Sequence, residues 1–143
     1  MKPRLQAFIL EDSEDDLRFL LRGFQRHAPD VAFMAFHRAK LLLAELEKIK
    51  AEEHGVYPHF ILLDLNLPDA NGFDVLEQIR REVETMAIPV LVLTTSISQK
   101  EIMKAYRMKA NAFLSKPQDL TEFDEVTKTI STFWFGLASL PRA

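Results

Sequence analysis

The sequence contains no cysteine among its 143 residues. This absence excludes disulfide bonds, thiolate metal sites and cysteine nucleophiles, and it is typical of proteins from a reducing compartment. The sequence also lacks an apolar run of about 18 residues, the length that a membrane-spanning helix requires. The first residues lead directly into a short apolar run without a small-residue cleavage site, so we expect a cytoplasmic protein that is not secreted.

Charge of one sign is not in excess either. The 18 lysine and arginine residues nearly balance the 21 aspartate and glutamate residues, which leaves a net charge of −3. Because no local basic run stands out, the sequence predicts no nucleic-acid surface. The hydrophobic content of 48% excludes a mainly disordered chain. The length fits one domain, so we expect residues 1–143 to form a single domain with a core over about residues 5–137 and no output domain.

Short apolar runs alternate with longer segments of helical periodicity along the chain. The runs typical of β-strands are residues 5–10, 31–36, 60–63, 90–93 and 112–114. Apolar residues at helical spacing follow each run, and Ser13, Ser98 and Thr121 are candidate N-caps for three of the five predicted helices. Such an alternation predicts an α/β fold, a doubly wound parallel sheet with helices on both faces. Ligand sites in these sheets lie at the carboxyl ends of the strands.

Charged and polar residues directly follow four of the five predicted strands. They are Glu11 and Asp12 after the first, Asp64 after the third, Thr94 after the fourth and Lys116 after the fifth. Three clustered carboxylates repel one another, and a hard divalent cation such as Mg²⁺ would offset that repulsion. Asp64 beside this ion is a candidate nucleophile for a phosphoryl group, whose oxygens Lys116 and Thr94 would stabilise.

Each of these acids taken singly could instead be a helix cap or a turn residue. The four strand ends together favour the chemical interpretation, because each supplies a suitable group independently. Two other enzyme classes lack their motifs, since the sequence has no GxxxxGKS or GxxxxGKT run and no GxSxG run. An aspartate-dependent phosphatase would carry its nucleophile after the first strand, with a second aspartate two residues later. Here Asp64 follows the third strand, and Asn66 stands at that second position.

Four segments share their residues and spacing with a known family. The segments are residues 9–12, 62–72, 92–95 and 113–117, and they include Pro68 and Gly72, four and eight residues after Asp64. Thr94 follows the aspartate by 30 residues and Lys116 follows it by 52. This pattern resembles the receiver domain of response regulators over nearly the whole chain. The resemblance implies a flavodoxin-like sheet of five strands in the order 2-1-3-4-5, with five helices.

The resemblance implies a role for each acidic residue of the site. Asp64 corresponds to the phosphoacceptor, which also ligates Mg²⁺. Asp12 corresponds to a second metal ligand, Glu11 to a neighbour that acts largely through water, and Asn66 to the residue whose backbone carbonyl ligates the ion. Proteins of this kind are not enzymes with an external substrate, although they assist their own phosphorylation and dephosphorylation.

The remaining site residues match the switch of the same family. Thr94 corresponds to the switch hydroxyl, and Phe113 corresponds to the aromatic side chain that moves with it. Lys116 corresponds to the lysine that contacts the phosphoryl group, and the resemblance implies that its peptide bond to Pro117 is cis.

The last predicted helix carries an aromatic cluster at its end. At about 100° per residue, an apolar stripe is expected to face the core, and it consists of Phe123, Val126, Ile130, Phe133, Trp134 and Leu137. Phe135 falls outside this stripe. The three aromatic residues 133–135 resemble the end of single-domain response regulators that serve bacterial phytochrome histidine kinases. This resemblance implies a homodimer interface of the last helix and a nearby β-strand. Because Phe135 lies off the core stripe, we expect a symmetric homodimer through the fourth helix, fifth strand and fifth helix, with Phe135 near its centre.

We therefore expect a two-component response regulator whose Asp64 accepts a phosphoryl group from a histidine kinase in a Mg²⁺-dependent reaction, with a bacteriophytochrome as the candidate kinase. It would signal through protein contacts, as an effector or in a phosphorelay, without binding nucleic acid or membrane. Two alternatives remain open at this point. One is a phosphorylation-independent interaction module on the same fold, and the other is a small phosphatase. The segment 48–59 has no assigned role.

Overall fold

The computed structural model of the chain describes residues 4–141. Its strands are β1 (Gln6–Leu10), β2 (Ala32–Phe36), β3 (Phe60–Leu63), β4 (Val90–Thr94) and β5 (Ala112–Ser115). Its helices are α1 (Glu14–His27), α2 (Ala39–Ala51), α3 (Gly72–Arg81), α4 (Gln99–Arg107) and α5 (Leu120–Ile130), and a π-helix (Ser131–Leu137) continues α5. The strands are parallel and lie in the order β2-β1-β3-β4-β5. The predicted fold class and strand order are confirmed.

Side-chain caps fix where the helices begin. Ser13 caps α1 and Ser98 caps α4, as predicted, and each hydroxyl accepts a hydrogen bond from the N–H group three residues on. The predicted cap of the last helix at Thr121 is wrong. The Asp119 carboxylate caps α5 by accepting from the Glu122 N–H at 2.8 Å. Because aspartate is a stronger N-cap than threonine, the helix starts earlier than predicted.

Helices cover both faces of the sheet, and each strand sends alternate residues to each side. Ile61 and Leu63 of β3 pack with residues of α2, α3 and α4, whereas Phe60 and Leu62 pack with residues of α1 and α5. All four are buried, as expected for a continuous apolar run in a central parallel strand. Among residues 4–141, no helix is both long and apolar enough to cross a bilayer.

The segment between α2 and β3, which had no predicted role, ties β3 to the start of β1. Pro58 and His59 are buried there. The Gln6 N–H donates to His59 Nδ1 at 3.0 Å, and the His59 N–H donates to the Gln6 carbonyl at 2.8 Å. These two hydrogen bonds align β3 with β1 where the two strands begin.

The end of the last helix differs from the prediction. Within Ser131–Leu137 the hydrogen bonds span five residues, and the last of them reaches the Phe133 carbonyl at 2.7 Å. Such a turn holds more residues than an α-turn, so a wheel of about 100° per residue no longer applies. Phe133 and Leu137, both predicted to face the core, are 51% and 76% exposed. Phe135, predicted outside it, packs edge-on against Phe33 and Phe60.

Candidate functional site

The predicted site residues meet at the carboxyl edge of the sheet. The N–H groups of Glu11, Asp64 and Lys116 donate to carbonyls of neighbouring strands at 2.9, 3.0 and 2.8 Å. These bonds extend the ladder one residue beyond β1, β3 and β5. Thr94, the last residue of β4, is fully buried between them. The backbone hydrogen bonds of the sheet therefore fix the Cα positions from which the functional side chains extend.

The Lys116 ammonium contacts three carboxylates. Its Nζ atom lies 2.8 Å from Glu11 Oε1, 3.0 Å from Asp64 Oδ2 and 3.0 Å from Asp16 Oδ2. The lysine side chain is only 7% exposed. Burial by itself lowers the pKa of Lys116, but the hydrogen bonds and charges of Glu11 and Asp64 outweigh burial and raise it above the ordinary value. The site therefore contains a permanent positive charge.

Three carboxylates form a cluster beside this ammonium. Oxygens of Glu11, Asp12 and Asp64 all lie within 4.8 Å of one another. Burial raises the pKa of Glu11 to about 7 against the opposing effect of the Lys116 hydrogen bond, and the Asp64 charge adds to the rise. Asp12 is exposed, so an ion held here would keep contact with water. Hard oxygen ligands with room for water fit a divalent cation such as Mg²⁺.

The loop after β3 folds back around the Asp64 carboxylate. The Asn66 N–H donates to Asp64 Oδ1 at 3.1 Å, and Asn66 Nδ2 donates to Thr94 Oγ1 at 3.3 Å. Glycine is required where the loop returns, because a Cβ at Gly72 would lie 2.4 Å from the Asp64 carbonyl oxygen and 2.6 Å from Leu65 Cα. This close approach is the physical reason why a glycine stands eight residues after the aspartate.

Thr94 and Phe113, the predicted switch residues, lie on neighbouring strands. Phe113 is half-buried and packs against the core cluster shared by α2, α3 and α4. Its N–H group donates to the Tyr106 hydroxyl at 3.2 Å, which connects α4 to the outer edge of β5. The sequence did not identify Tyr106, because a half-exposed tyrosine on a helix carries no distinguishing signal.

Two further acids belong to the architecture of the site, and neither was predicted to do so. Asp16, in the first turn of α1, pairs with Lys116. Asp69, in the loop after β3, accepts hydrogen bonds from the Ala39 and Lys40 N–H groups at 3.0 and 3.1 Å. It thereby caps α2, whose own N-cap residue offers no side-chain bond, and these backbone bonds lower the pKa of Asp69. The loop that holds the candidate phosphoacceptor is thus also attached to α2.

The predicted cis peptide bond is not found. All peptide bonds of residues 4–141 are trans, including the one between Lys116 and Pro117. The trans form of a bond before proline is favoured by about 0.5–1 kcal/mol. Lys116 makes its three carboxylate contacts with the trans bond.

The chain is similar to a known protein family over most of its length. Residues 7–128 match the response regulator receiver domain. The chain belongs to this receiver family. The predicted family is therefore confirmed, and receiver domains in general are signalling modules rather than enzymes with an external substrate.

Individual relatives include a phytochrome response regulator. Response regulator Rcp1 of Synechocystis sp. is 30% identical over 141 residues, which cover 99% of this chain and 96% of Rcp1. The structure of the phosphorylated cyanobacterial phytochrome response regulator RcpA has a TM-score of 0.89 at 29% identity and covers 97% of this chain and 99% of that one. The Mn²⁺-bound form of Rcp1 has a TM-score of 0.88, with the same identity and coverage. The receiver domain is thus related to those of phytochrome systems.

Proposed function

We propose that this receiver is a two-component response regulator in which Asp64 accepts a phosphoryl group from a histidine kinase. The observation that carries the proposal is a buried Asp64 carboxylate 3.0 Å from the Lys116 ammonium, next to the Glu11 and Asp12 carboxylates. A phosphorylation-independent module has no need for this cluster, and burying charged groups without a function destabilises a fold. Phosphorylation at Asp64 therefore gives a reason for burying these charged groups, whereas a phosphorylation-independent interaction module gives none.

The reaction we propose transfers the phosphoryl group from a phosphohistidine. An oxygen of Asp64 attacks the phosphorus atom, an O–P bond forms, the N–P bond breaks, and the imidazole leaves with the bonding electron pair. Lys116, which donates to Asp64 Oδ2, would then offset negative charge on the phosphoryl oxygens. The Thr94 hydroxyl, which accepts from Asn66 Nδ2, would donate its proton toward one of those oxygens.

Mg²⁺ is the cofactor that we propose for this reaction. Asp12, Asp64 and the carbonyl of Asn66 would hold the ion, and Glu11 would act through water. When bound, the ion supplies positive charge that offsets the charge on the phosphoryl oxygens. The hard oxygen ligands of the cluster and the Mn²⁺-bound form of Rcp1 support this assignment.

The phosphoacceptor is tested by Asp64→Asn, which removes the nucleophile with little change in shape. After incubation with a small phosphodonor and Mg²⁺, mass spectrometry should find one added phosphoryl group on the wild type and none on the variant. Asp74→Asn, at an exposed position of α3, is the matched control and should be phosphorylated normally. A base-labile phosphate on the Asp64→Asn variant would show that another residue is the acceptor.

The metal site is tested by Asp12→Ala. The variant should bind Mg²⁺ about tenfold more weakly, because a hard cation needs charged oxygen ligands and one of them is lost. Asp15→Ala, which removes an exposed charge from the next helix, should bind the ion nearly as the wild type does. Titration calorimetry measures both affinities, and equal values would remove Asp12 from the metal site.

A kinase of the bacteriophytochrome type is the phosphodonor that we propose. The support is the likeness to the phytochrome response regulator RcpA over 97% of this chain. Phosphotransfer from a purified bacteriophytochrome kinase should be faster than transfer from a histidine kinase of another sensory class. Equal rates would contradict the choice of kinase, and the assignment of Asp64 would be unaffected.

We also propose a symmetric homodimer through α4, β5 and the end of α5, but with Phe133 rather than Phe135 as its aromatic anchor. Phe133 is 51% exposed and Met103 of α4 is 50% exposed, so a partner can bury both. Phe135 is partly buried and packs against the Phe33 and Phe60 rings, so less of its surface can meet a partner. Aromatic side chains dominate protein interfaces, and each substitution acts twice across a two-fold axis.

Light scattering at matched concentrations, with and without phosphodonor, tests this dimer. Phe133→Glu should give a monomer, because two like charges would meet in the interface. Val83→Glu changes an apolar side chain that is 80% exposed just after α3, and it should leave association unchanged. A wild type that stays monomeric in both states would contradict the dimer.

A further inference from the structure

We propose that Asp16 is a positioning residue for Lys116, which holds the lysine ammonium in place while its other two partners change during phosphorylation. The proposal rests on the proposed function, because it assumes that Asp64 is phosphorylated. The observation behind it is the pair of Lys116 Nζ and Asp16 Oδ2, which lie 3.0 Å apart at a largely buried position between α1 and the end of β5.

The ammonium has as many donors as it has carboxylate partners. A lysine carries three N–H groups, and Lys116 Nζ contacts Glu11, Asp16 and Asp64 at 2.8, 3.0 and 3.0 Å. Glu11 and Asp64 belong to the carboxylate cluster that fits a cation, and Asp64 is also the proposed phosphoacceptor. Asp16 belongs to neither group. Its charge and its attachment to α1 are therefore the same before and after phosphoryl transfer.

The simple alternative is that Asp16 only complements the dipole of α1, as acids in a first helical turn commonly do. Asp15 fits that description, because its side chain is 75% exposed and lies 3.8 Å from Arg18 of the same helix. The Asp16 side chain is only 27% exposed and pairs with a residue 100 positions away. Two neighbouring acids in one turn thus have different surroundings.

The capping arrangement at the start of α1 leaves the Asp16 carboxylate free for Lys116. In a capping box, the third residue after the cap bonds back to the N–H group of the cap residue. Here the Ser13 N–H donates instead to Glu11 Oε2 at 3.1 Å. Glu11 thus takes over the role that the box assigns to Asp16, and the Asp16 carboxylate points to the lysine.

Phosphorylation kinetics test the proposal. Asp16→Ala should lower the rate of phosphorylation at saturating Mg²⁺ and phosphodonor by about tenfold, in line with the loss of a hydrogen bond to a charged group. Asp15→Ala removes the same charge from the same turn and should leave this rate unchanged. Asp16→Asn keeps an oxygen acceptor without the charge and should fall between the wild type and Asp16→Ala. Equal saturated rates for Asp16→Ala and Asp15→Ala would overturn the proposal.

A second measurement does not depend on phosphorylation. The ¹⁵N-detected ammonium signal of Lys116 should be sharp in the wild type and in Asp15→Ala, because three carboxylates slow the exchange of its protons. In Asp16→Ala the signal should broaden or disappear, and a signal as sharp as in the wild type would overturn the proposal. If the wild type takes up no phosphoryl group, the proposed function fails, and this signal still decides whether Asp16 holds Lys116.

Discussion

The two helices that begin beside the candidate site, α1 and α4, are attached to the rest of the molecule in different ways. α1 buries Leu20, Gly23 and Phe24, and Gly23 lies so close to α5 that a Cβ would come within 2.0 Å of Thr127 Oγ1. Of the nine residues of α4, only Ala105 is buried. α1 therefore forms a tightly packed unit with α5, whereas α4 rests on the sheet through a small contact.

This difference gives the site a firmly held side and a loosely held side. On the first, Asp16 of α1 contacts Lys116 directly. On the second, α4 is attached through the Tyr106 hydroxyl, which accepts the Phe113 N–H at 3.2 Å. Buried apolar surface is the main resistance to local movement, so α4 can be displaced at a much lower free energy than α1. We expect the proposed phosphorylation of Asp64 to move α4 and to leave α1 in place.

Truncation of one side chain in each helix should give the largest difference. Phe24 is fully buried and its ring lies 4.6 Å from that of Phe33. Phe24→Ala should lower the free energy of unfolding by about 3–5 kcal/mol, because it leaves a cavity in the core. Ile102→Ala in α4 should lower it by about 1 kcal/mol, since Ile102 is only half-buried. Urea denaturation measures both values, and equal losses would contradict the distinction between the helices.

The contact between α1 and α5 can be tested at its closest point. Alanine stabilises an ordinary helix by about 1 kcal/mol relative to glycine. At Gly23, however, the new Cβ would lie 2.0 Å from Thr127 Oγ1. We expect the clash to dominate, so that Gly23→Ala lowers the free energy of unfolding by about 1–3 kcal/mol. Thr127→Ala removes Oγ1 and Cγ2 but keeps the Thr127 Cβ, which would lie 2.7 Å from the new Cβ, so the relief is partial. The double variant should still be more stable than the sum of the single effects; simple additivity would argue against the contact.

The firmly held side of the site was only partly predictable from the sequence. Asp64 and Lys116 were predictable because parallel strands bring their carboxyl ends to one edge, whatever lies between them in the chain. Asp16 was not predictable from the sequence, because the helix dipole alone favours an acid in the first turn of α1. Asp15 satisfies the same pattern without reaching the site. Sequence spacing identifies residues that the backbone brings together, but it does not show which of two adjacent acids points inward.

The end of the last helix was mispredicted for a different reason. Periodicity assumes that the helix keeps one geometry, and the π-helix breaks that assumption after Ile130. Phe135 then packs edge-on against Phe24, Phe33 and Phe60, which come from α1 and two strands. These are tertiary contacts, and the pattern of a single helix contains no information about them.

Two alanine substitutions at this end should separate the observed packing from the predicted one. Phe135→Ala should lower the free energy of unfolding by about 2 kcal/mol, because the partly buried Phe135 packs against the cluster that also holds α1. Phe133→Ala should change it by less than about 0.5 kcal/mol in the monomer, because the side chain is half exposed. Thermal unfolding of samples dilute enough to be monomeric compares the stabilities of the two variants. A larger loss for Phe133→Ala would favour the α-helical arrangement that the sequence predicts.

The smallest expected effect concerns the attachment of α4 to β5. Tyr106→Phe removes the oxygen that accepts the Phe113 N–H, and water can replace it at this edge strand because Tyr106 is 48% exposed. The free energy of unfolding should therefore fall by only about 0.5 kcal/mol. Amide hydrogen exchange at Phe113 should nevertheless become faster, because the bond that protects this N–H is lost. Arg107→Ala changes an exposed residue of the same helix without removing the acceptor, so exchange at Phe113 should stay as in the wild type. If Tyr106→Phe left that exchange unchanged, the Tyr106 hydroxyl would not be what protects the Phe113 N–H, and this attachment of α4 to β5 would be contradicted.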